Sequence, residues 1–571
     1  MRTNNNAFDG TVDSSSIIDL SNRSTIGYFQ ESITTNWDKE AYTDLQGSTL
    51  LYRELAMEIE RLHILFRSVD LKPGDKVAIC AKNCSNWAVA FFAIFTYGAV
   101  PVPILADFKA DYIHNIVNHS ESKLLFAGDS QWKSISPEKM PEVIGFLQVS
   151  DRALLHSTDE RLTKAYENLD ALFKERFPQG FNRNDIEFYL NDNPQDLAVL
   201  NYTSGTTSLP KGVMIPYRAL RALIIYSLNT LPLKNGTSTV CMLPLAHMFG
   251  LMFELIYGTV LGCHIHFLTK IPSPRIIFQA FAEFKPSLII SVPLVIEKVV
   301  RTIIMPELQK PAMRVALHTP ILRGVVIRKV RQKLMDAFGG SLVEIIIGGA
   351  ALGKDVEDCL RMLNFPFSVG YGTTECAPLV AYSHWFDYKP GTCGRPIDCL
   401  EIKIHSTDPE NIPGEITIRG DNVMLGYFKN PEATAQAIDK DGWFYSGDMG
   451  TIDKEGNITI KGRCKNMILG PSGQNIYPEE IEEVINAIPL VAESIVIDRD
   501  EKLIALIVPD PEIVRSEKLS RQQIAERLDA HRKEINTDLP SYERINSFQI
   551  MDEPFEKTPK GSIKRFLYQD K

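Results

Sequence analysis

Apolar residues follow two alternating patterns through the first two thirds of the chain. Residues 49–71 show helical spacing of apolar positions with mixed charges, and the strand-like segment KVAIC, Lys76–Cys80, follows them. Two later apolar runs, at residues 288–293 and 343–350, lie on either side of a basic stretch with helical character at residues 325–338. Short apolar runs that alternate with helical patterns predict α/β layers around buried sheets.

The pattern changes after Asp387. Short strands (EIKIH, GEITIRG and NITIKG) are separated by Gly, Pro and Asp turns, which predicts a β-rich subdomain at about residues 388–464. Residues 465–571 combine a helix that starts at Pro478, two apolar strands, a charged helix and a basic tail. We therefore expect the α/β (α+β) fold class, with a large N-terminal domain at residues 1–464 and a small α+β C-terminal domain.

The helix that starts at Pro478 is the best signalled element of the C-terminal domain. Proline suits a first helical turn, and the two glutamates that follow complement the helix dipole. Its apolar side chains fall on one face, which we expect to be core: Ile481, Val484, Ile485 and Ile488.

One apolar stretch has the length of a membrane span. Residues 87–106 are uncharged and almost wholly apolar, but Gly98, Pro101 and Pro103 interrupt them. A buried helix that ends near Tyr97, followed by a turn and a short strand, fits these interruptions better than a transmembrane helix. Peripheral membrane contact stays open.

Composition excludes several classes of protein. The chain has 571 residues, 44% hydrophobic and 23% charged, as in globular proteins with several subdomains. The net charge of −10 argues against a general nucleic-acid binder. Nine cysteines without CxxC pairs and an N-terminus without an apolar signal core predict reduced thiols in the cytoplasm.

The most distinctive loop is YTSGTTSLPKG, residues 202–212, between two apolar runs that predict a strand on each side. Its hydroxyls, glycines and single lysine could bind a polyphosphate, although a Ser/Thr/Gly-rich surface loop is the alternative. The spacing is not that of a Walker loop, in which Gly-Lys-Ser/Thr leads into a helix. The candidate phosphate ligands are Thr203, Ser204, Gly205, Thr206, Thr207 and Lys211.

Two further segments carry ligand chemistry. GYGTTE, residues 370–375, offers an aromatic ring, hydroxyls and a carboxylate that suit Mg²⁺, although such a segment alone would be a turn with an exposed Glu. YSGDMG places Asp448 in a glycine-flanked turn. Its carboxylate could accept from the two hydroxyls of a ribose or cap its own turn.

With GRCKNMI at residues 462–468, these segments have the order and spacing of the acyl-adenylate-forming enzymes. From about Ile26 onward the chain resembles that family, and in particular its AMP-forming acyl-CoA synthetases. The family's usual glycine after the two threonines is Ser208 here. The resemblance implies a domain that binds ATP and Mg²⁺, and a mobile C-terminal domain that turns about Lys465.

The resemblance also implies roles for single residues. By this resemblance the backbone of Gly349, Ala350 and Ala351 lines the adenine and Tyr371 covers it, with Gly372 and Thr373 beside the nucleotide. Thr374 meets the α-phosphate, and Glu375 and Thr203 lie at Mg²⁺. Asp448 and Arg463 bind the ribose.

His247 lies in the apolar run LPLAHMFGL. A lone histidine in such a run is more often a core residue than a catalyst. The resemblance to fatty-acyl members implies instead that it borders the acyl pocket. We expect a hydrophobic tunnel that ends near His247 and Gly348, because between Met242 and Val260 only His247 and Glu254 could carry charge near neutral pH.

The tail FEKTPKGSIKRF departs from the family, which has a catalytic lysine where this chain has Ser562. That lysine stabilises charge in the transition state, and a lost contact of this kind costs roughly 3–4 kcal/mol. In an extended segment Lys560 and Lys564 would lie on the same face as Ser562, so either could replace it. Lys560, next to Gly561, is the preferred candidate, and a solvated basic tail is the alternative.

The resemblance implies ATP-dependent activation of a fatty acid of medium or long chain to an acyl-adenylate, followed by transfer to CoA along a path that Gly473 borders. Three alternatives remain: a ligase that loads an acyl carrier protein, a peptide-synthetase domain, which the apolar His247 region disfavours, and a non-catalytic binding protein, which Ser562 suggests. Chain length, a homodimer and membrane association stay open.

Overall fold

A computed structural model of the chain describes residues 23–203, 210–270, 274–470, 474–499, 502–558 and 563–569. Strands and helices alternate up to about residue 370, and antiparallel strands dominate from residue 395 to residue 463. The predicted α/β (α+β) class is confirmed by this order of elements.

The first sheet has five strands. Their order is Val100–Ile104, Lys76–Cys80, Leu124–Ala127, Gly145–Gln148 and Leu154–Ser157. The first four are parallel and the last is antiparallel. The predicted strand Lys76–Cys80 therefore has a neighbour on each side, and four of its five residues are buried, as expected for a parallel sheet covered on both faces.

The apolar stretch at residues 87–106 forms a core helix and a strand. The helix Ser85–Thr96 is buried at every residue except Asn86, and Gly98 takes a positive φ of 82° directly after its end. The strand Val100–Ile104 follows, so the predicted interruption is confirmed. No helix in the described part of the chain is long and apolar enough to cross a membrane.

Three other sheets complete the layered part. The first of these has the strand order Ser238–Cys241, His264–Phe267, Glu40–Asp44 and Thr49–Leu51. The second is parallel and has the order Leu288–Ser291, Glu344–Ile347 and Phe367–Val369. The third has the order Gly426–Tyr427, Lys211–Pro216 and Leu197–Thr203. The strands at 288 and 344 match the predicted apolar runs.

The helices of the layered part surround these sheets. They are Thr25–Thr35, Tyr52–Ser68, Ala110–Ser120, Asp129–Trp132, Glu160–Glu167, Leu169–Arg176, Tyr217–Thr230, Met248–Gly250, Tyr257–Leu261, Pro274–Phe284, Pro293–Val299, Met305–Leu308, Pro311–His318, Pro320–Ala337 and Lys354–Met362, with π-helical turns at Leu251–Ile256 and Val300–Ile304. The helix expected at residues 49–71 starts only at Tyr52, because residues 49–51 pair with the strand Glu40–Asp44.

The β-rich subdomain is an antiparallel sheet. Its strands are Leu400–His405, Gly414–Gly420, Phe444–Ile452 and Ile458–Arg463, each paired with the next. The small pair Ala381–Tyr382 and Arg395–Pro396 and the helix Pro431–Ala437 lie beside it in the sequence. The three strands read from the sequence are present, and Phe444–Ile452, which holds the YSGDMG segment, is the fourth.

The C-terminal part has its own core. A sheet of Val491–Arg499, Lys502–Pro509 and Ser547–Ile550 packs with the helices Pro478–Asn486, Pro511–Glu517 and Arg521–Asp538, and a small hairpin pairs Ile468–Leu469 with Asn475–Ile476. The expected core face of the first helix needs one correction: Val484 is 43% exposed, whereas Ile481, Ile485 and Ile488 are buried. Val484 is not part of the C-terminal core cluster, which contains the other three.

Candidate active site

The strands that flank the YTSGTTSLPKG loop form the predicted hairpin. Thr203 and Lys211 are directly opposite in the antiparallel pair, and the Thr203 hydroxyl is 3.5 Å from the Lys211 carbonyl oxygen. Both side chains are half-buried. The loop therefore starts and ends at one point of the sheet edge. Ser204, Gly205, Thr206 and Thr207 lie outside the described residues.

Tyr427 connects this hairpin to the GYGTTE segment. Its hydroxyl donates to Glu375 Oε1 at 3.0 Å, and the Lys211 ammonium lies 4.7 Å from the centre of its ring. The Met424 N–H donates to the Glu375 carbonyl oxygen at 2.8 Å. Tyr427 thus holds a carboxylate and a cation on opposite parts of one side chain. Sequence reasoning missed it, because an aromatic residue after a glycine is not a specific signal.

The GGA and GYGTTE segments follow the carboxyl ends of neighbouring parallel strands. The Gly348 N–H donates to the Ser291 carbonyl, and the Gly370 N–H donates to the Ile347 carbonyl, so three strand ends meet at one edge. Ligands bind at such edges in α/β sheets. After this point the backbone opens to solvent: Gly349 has a φ of 85°, and Gly349, Ala350 and Ala351 are exposed.

Tight packing shapes the GYGTTE turn. A Cβ at Gly372 would lie 1.6 Å from the Pro378 carbonyl oxygen, so only glycine fits there. Thr373 precedes a short 3-10 turn, Thr374–Cys376, and Tyr371, Thr373, Thr374 and Glu375 are all half-buried. The turn therefore brings an aromatic ring, the Thr374 hydroxyl and a carboxylate to this edge, whereas the Thr373 hydroxyl is buried.

Asp448 lies at the centre of a second group of contacts. The Tyr371 hydroxyl donates to its Oδ2 at 2.6 Å, and Arg463 Nε lies 3.0 Å from its Oδ1. Asp448 and Arg463 are paired across the strands Phe444–Ile452 and Ile458–Arg463. Burial raises the pKa of Asp448, and the Arg463 charge opposes that rise. The β-rich subdomain thereby delivers a buried carboxylate and a cation to Tyr371.

The oxygen donors are suited to Mg²⁺ only together with a phosphate substrate. In the described part of the chain no group of three or more His, Cys, Asp and Glu side chains is arranged to hold a metal ion. Mg²⁺ usually takes one or two carboxylates and completes its shell with water and substrate phosphates. Glu375, a single half-buried carboxylate that accepts from the Tyr427 hydroxyl, fits that requirement.

Comparisons with known proteins agree with this geometry. The family model described as "AMP-binding enzyme" matches residues 29–428, and that of the "AMP-binding enzyme C-terminal domain" matches residues 465–570. The chain belongs to the AMP-binding enzyme family. The resemblance to acyl-adenylate-forming enzymes is thereby confirmed.

Relatives within this family act on different acids. A long-chain-fatty-acid–CoA ligase (FadD15) of Mycobacterium bovis is 29% identical over 91% of this chain and 90% of its own length. A 4-coumarate-CoA ligase of Narcissus pseudonarcissus is 27% identical over 91% of this chain and 88% of its own length. The solved structure of o-succinylbenzoate CoA synthetase from Bacillus subtilis with its acyl-adenylate intermediate has a TM-score of 0.73 and 21% identity, covering 95% of this chain and 98% of that one. This last likeness shows the fold.

His247 of this AMP-binding enzyme lies in a segment that borders the open edge formed by the GGA and GYGTTE segments, which we call the nucleotide edge. The Asn201 amide, on the strand before the YTSGTTSLPKG loop, donates to the Ala246 carbonyl at 2.9 Å. Phe249, two residues after His247, packs against Gly348. A Cβ added at Gly348 would come within 3.0 Å of the Phe249 ring. His247 and Phe249 are half-buried, so this segment borders the point where the GGA motif begins.

The rest of the apolar segment is packed into the main core. Residues 251–257, which include the π-helical turn, are all buried. Glu254 accepts from the Met242 and Leu243 N–H groups at 3.2 and 2.9 Å, and burial raises its pKa to about 8. Glu254 is therefore mainly neutral at pH 7, although the sequence alone named it as a residue that could carry charge near neutral pH. A tunnel near His247 and Gly348 stays a prediction.

The tail residues that the structure describes bind within the C-terminal part. The Lys564 ammonium lies 3.1 Å from Glu556 Oε2, and Lys557 pairs with Glu493. Arg565 pairs with the largely buried Glu482 of the helix Pro478–Asn486. Lys564 is thus not brought to Tyr371 or Asp448 in this arrangement. Lys560 and Ser562 lie outside the described residues.

The same helix contacts the large domain on another side. Glu480 pairs with Lys461 at 2.7 Å, and Glu483 accepts from the Lys354 N–H at 3.0 Å. Within the C-terminal part, the Asn466 amide donates to Glu479 at 2.6 Å. Lys465 itself is exposed in the turn that connects the two parts, and Gly473 lies outside the described residues.

Proposed function

We propose that this AMP-binding enzyme activates a fatty acid of medium or long chain and transfers it to CoA. In the first step a carboxylate oxygen bonds to the α-phosphorus of ATP, the bond from that phosphorus to the bridging oxygen breaks, and pyrophosphate leaves. In the second step the CoA sulfur bonds to the acyl carbon, its proton is released, and AMP leaves as the acyl–oxygen bond breaks. The products are acyl-CoA, AMP and pyrophosphate.

The observation that carries the nucleotide half of the proposal is the convergence of Tyr371, Asp448, Arg463 and Glu375 on one open edge. The adenine would lie on the exposed backbone of Gly349–Ala351 under Tyr371. The ribose hydroxyls would donate to Asp448, next to Arg463. These groups come from three separate parts of the chain, and a folded protein brings them together most simply to bind one nucleotide.

The phosphate groups would lie between Glu375, Thr374 and the hairpin of Thr203 and Lys211. Mg²⁺, held by Glu375 with Thr203 nearby, would withdraw charge from the phosphate oxygens. The Lys211 ammonium lies over the Tyr427 ring and would add a positive charge for the pyrophosphate. Because the net charge of the whole chain is −10, such local cations are needed for an anionic substrate.

The choice of a fatty acid rests on the apolar wall beside Gly348. Phe249, its edge-on neighbour Phe253 and the buried π-helical turn offer no charged group to a substrate at pH 7, since burial raises the pKa of Glu254 to about 8. An aliphatic tail is stabilised by such a wall in proportion to the area it buries. Relatives include both long-chain and 4-coumarate ligases, so an aromatic acid is the competing substrate.

Two lysines are candidates for stabilising the charge that moves between the carboxylate and the α-phosphate. We propose Lys560 for this role and Lys564 as its alternative. Lys564 would have to exchange its bond to Glu556 for one to the substrate, whereas Lys560 is followed by Gly561. The C-terminal domain would then turn about Lys465, and Gly473 would border the path of CoA.

ATP–pyrophosphate exchange across a panel of acids tests the first half of the proposal. Octanoate, hexadecanoate, 4-coumarate and an amino acid would be compared, with and without Mg²⁺. We expect Mg²⁺-dependent exchange with the fatty acids, at least about 10-fold faster than with 4-coumarate, because each buried methylene adds roughly 0.8 kcal/mol. If exchange is fastest with 4-coumarate, only the choice of a fatty acid as substrate is overturned. If no acid supports exchange, the proposed adenylating activity itself is overturned.

The acyl acceptor needs a separate measurement. With radiolabelled fatty acid, CoA and an acyl carrier protein would be offered in turn and the products separated. Labelled acyl-CoA supports the proposal. Label on the carrier protein alone would instead identify a carrier-loading ligase.

A further inference from the structure

Two consecutive helices, Pro311–His318 and Pro320–Ala337, form a surface unlike the rest of this acidic protein. They contain six Lys or Arg residues and one acidic residue, Asp336. Of the six, only Lys333 pairs with an acidic residue that the structure describes, namely Glu307. We call this pair of helices the basic hairpin. Its uncompensated charge contrasts with the net charge of −10 for the whole chain.

The basic hairpin also exposes large apolar side chains. Val315 is 68% exposed, Leu322 48% and Val325 60%. Leu322, Val325 and Lys329 are spaced i, i+3 and i+7, so they share one face of the second helix. Val330 and Leu334 of that helix are buried in the core, and Met313 and Leu317 of the first helix pack against the same cluster. The apolar residues on the outside are therefore not the ones that hold the hairpin to the protein.

A second surface helix of equal length shows what an ordinary charged helix looks like in this molecule. Arg521–Asp538 also has 18 residues, but its cations are compensated. Arg527 pairs with Glu517, and both Arg532 and Lys533 pair with Asp529. None of the residues of this helix is among the large hydrophobic side chains that are exposed. We call it the compensated helix.

We propose that the basic hairpin docks the protein on a bilayer that contains anionic phospholipids. Cations on an apolar surface are the combination that binds at a lipid interface, where lysine and arginine meet the headgroups and apolar side chains enter the acyl boundary. Exposed valine and leucine would gain nothing from the phosphates of a nucleic acid. The negative remainder of the chain would be repelled, so the field of the protein orients the hairpin towards the membrane.

The hairpin lies in the crossover between the parallel strands Leu288–Ser291 and Glu344–Ile347, which both end at the candidate active site. Docking there would hold the site within a few nanometres of the bilayer. The proposal rests on the surface alone and does not depend on which acid the protein activates.

Vesicle co-sedimentation of the full chain tests the proposal. Vesicles of phosphatidylcholine with about 30% phosphatidylserine are compared with pure phosphatidylcholine, at low and high NaCl. We expect binding to the anionic vesicles that falls steeply with salt and is weak on the neutral ones, because screened charges lose their attraction. Absence of binding to anionic vesicles, or equal binding to both kinds, would overturn the proposal.

Matched double variants locate the surface. Arg328→Gln with Lys329→Gln removes two positive charges from the basic hairpin, and Arg527→Gln with Lys533→Gln removes two from the compensated helix. We expect the first pair to lower the partition coefficient by about 10-fold or more and the second pair to change it less than about 2-fold. Equal loss in both pairs would show a net-charge effect and contradict the assignment.

A spectroscopic variant tests whether the apolar residues enter the lipid. Tryptophan at position 325, introduced as Val325→Trp, should shift its emission to the blue on anionic vesicles, whereas Tyr542→Trp, at an exposed position of the C-terminal part, should not. The same variant tests two other occupants of the surface. A blue shift that appears without lipid as the protein concentration rises would identify a second copy of the chain. A blue shift on addition of a DNA duplex would identify nucleic acid. Either result would replace the bilayer.

Discussion

The nucleotide edge and the C-terminal tail hold their polar groups in different ways. At the edge, Asp448, Tyr371 and Glu375 are held by hydrogen bonds and an ion pair among residues that themselves belong to the site. In the tail, Lys564 and Arg565 are held by Glu556 and Glu482 of the C-terminal part. Under the proposed function the edge would bind its ligand without new partners, whereas Lys564 in the tail would have to exchange Glu556 for the substrate. Preorganised groups stabilise a transition state without a cost of rearrangement at the moment of reaction.

Glu375→Gln should have the largest effect. It removes the charge of the proposed Mg²⁺ ligand but retains its shape, and we expect ATP–pyrophosphate exchange to fall by about 10²-fold or more. The melting temperature of the variant serves as control for folding. Exchange within about 3-fold of the natural protein would mean that the edge does not bind metal through this carboxylate.

The tail lysines give the next largest expected effect. Lys560→Ala should slow adenylation by about 10², the scale for one lost transition-state contact. Lys564→Ala should change it by no more than about 5-fold, since its exposed pair with Glu556 is worth at most about 1 kcal/mol.

Thioester formation from pre-made acyl-adenylate should survive in both lysine variants. A different result would contradict a role for either lysine: full ATP–pyrophosphate exchange in both lysine variants, together with strongly accelerated exchange in Ser562→Lys. In that case no neighbouring lysine has replaced the one expected at position 562.

Arg565→Met should destabilise the C-terminal part, because it leaves the largely buried Glu482 without its cation. We expect a loss of about 3 kcal/mol at pH 8. Burial raises the pKa of Glu482 to about 7 even beside Arg565. A raised carboxyl pKa means that the folded protein favours the protonated form, so the stability of the variant should fall as pH rises. The loss caused by Arg565→Met should therefore be smallest at pH 5 and larger at pH 8.

Thermal unfolding at the two pH values measures this difference. The double variant with Glu482→Gln is the control and should be more stable than Arg565→Met alone at pH 8. Equal stability of both variants at both pH values would show that Glu482 does not hold the tail through its charge.

Tyr427→Phe should have the smallest effect. The lost hydrogen bond to Glu375 is worth about 1 kcal/mol, so exchange at low Mg²⁺ should fall by about 5-fold and recover in part at high Mg²⁺. Tyr445→Phe, a half-buried tyrosine on the strand Phe444–Ile452 of the β-rich subdomain, is the matched control. An equal effect in both variants would assign Tyr427 a merely structural role.

Local sequence was sufficient to predict much of the fold. The strand Lys76–Cys80, the core helix that ends before Gly98, the hairpin around Thr203 and Lys211, and the helix that begins at Pro478 were all predicted from apolar spacing and from glycine and proline positions. These signals are local because the period of a helix or strand and the backbone limits of glycine and proline act over a few residues.

The partners of the site residues could not be read in this way. Nothing near Glu375 in the sequence indicates that Tyr427 donates to it, and nothing near Asp448 indicates Tyr371. The exposure of Val484 was also missed, because apolar spacing shows which face can be buried but not which of its residues join the core.

By itself the sequence determined the order of the elements, the family through its motifs, and the residue types at the nucleotide edge, since each depends on residues close together in the chain. Only the tertiary structure decided which of these groups meet: it joined Tyr371 to Asp448 of the β-rich sheet, and it paired Arg565 with Glu482. The physical reason is that a hydrogen bond or an ion pair depends on separations of a few ångströms. Packing between distant parts of the chain sets those separations.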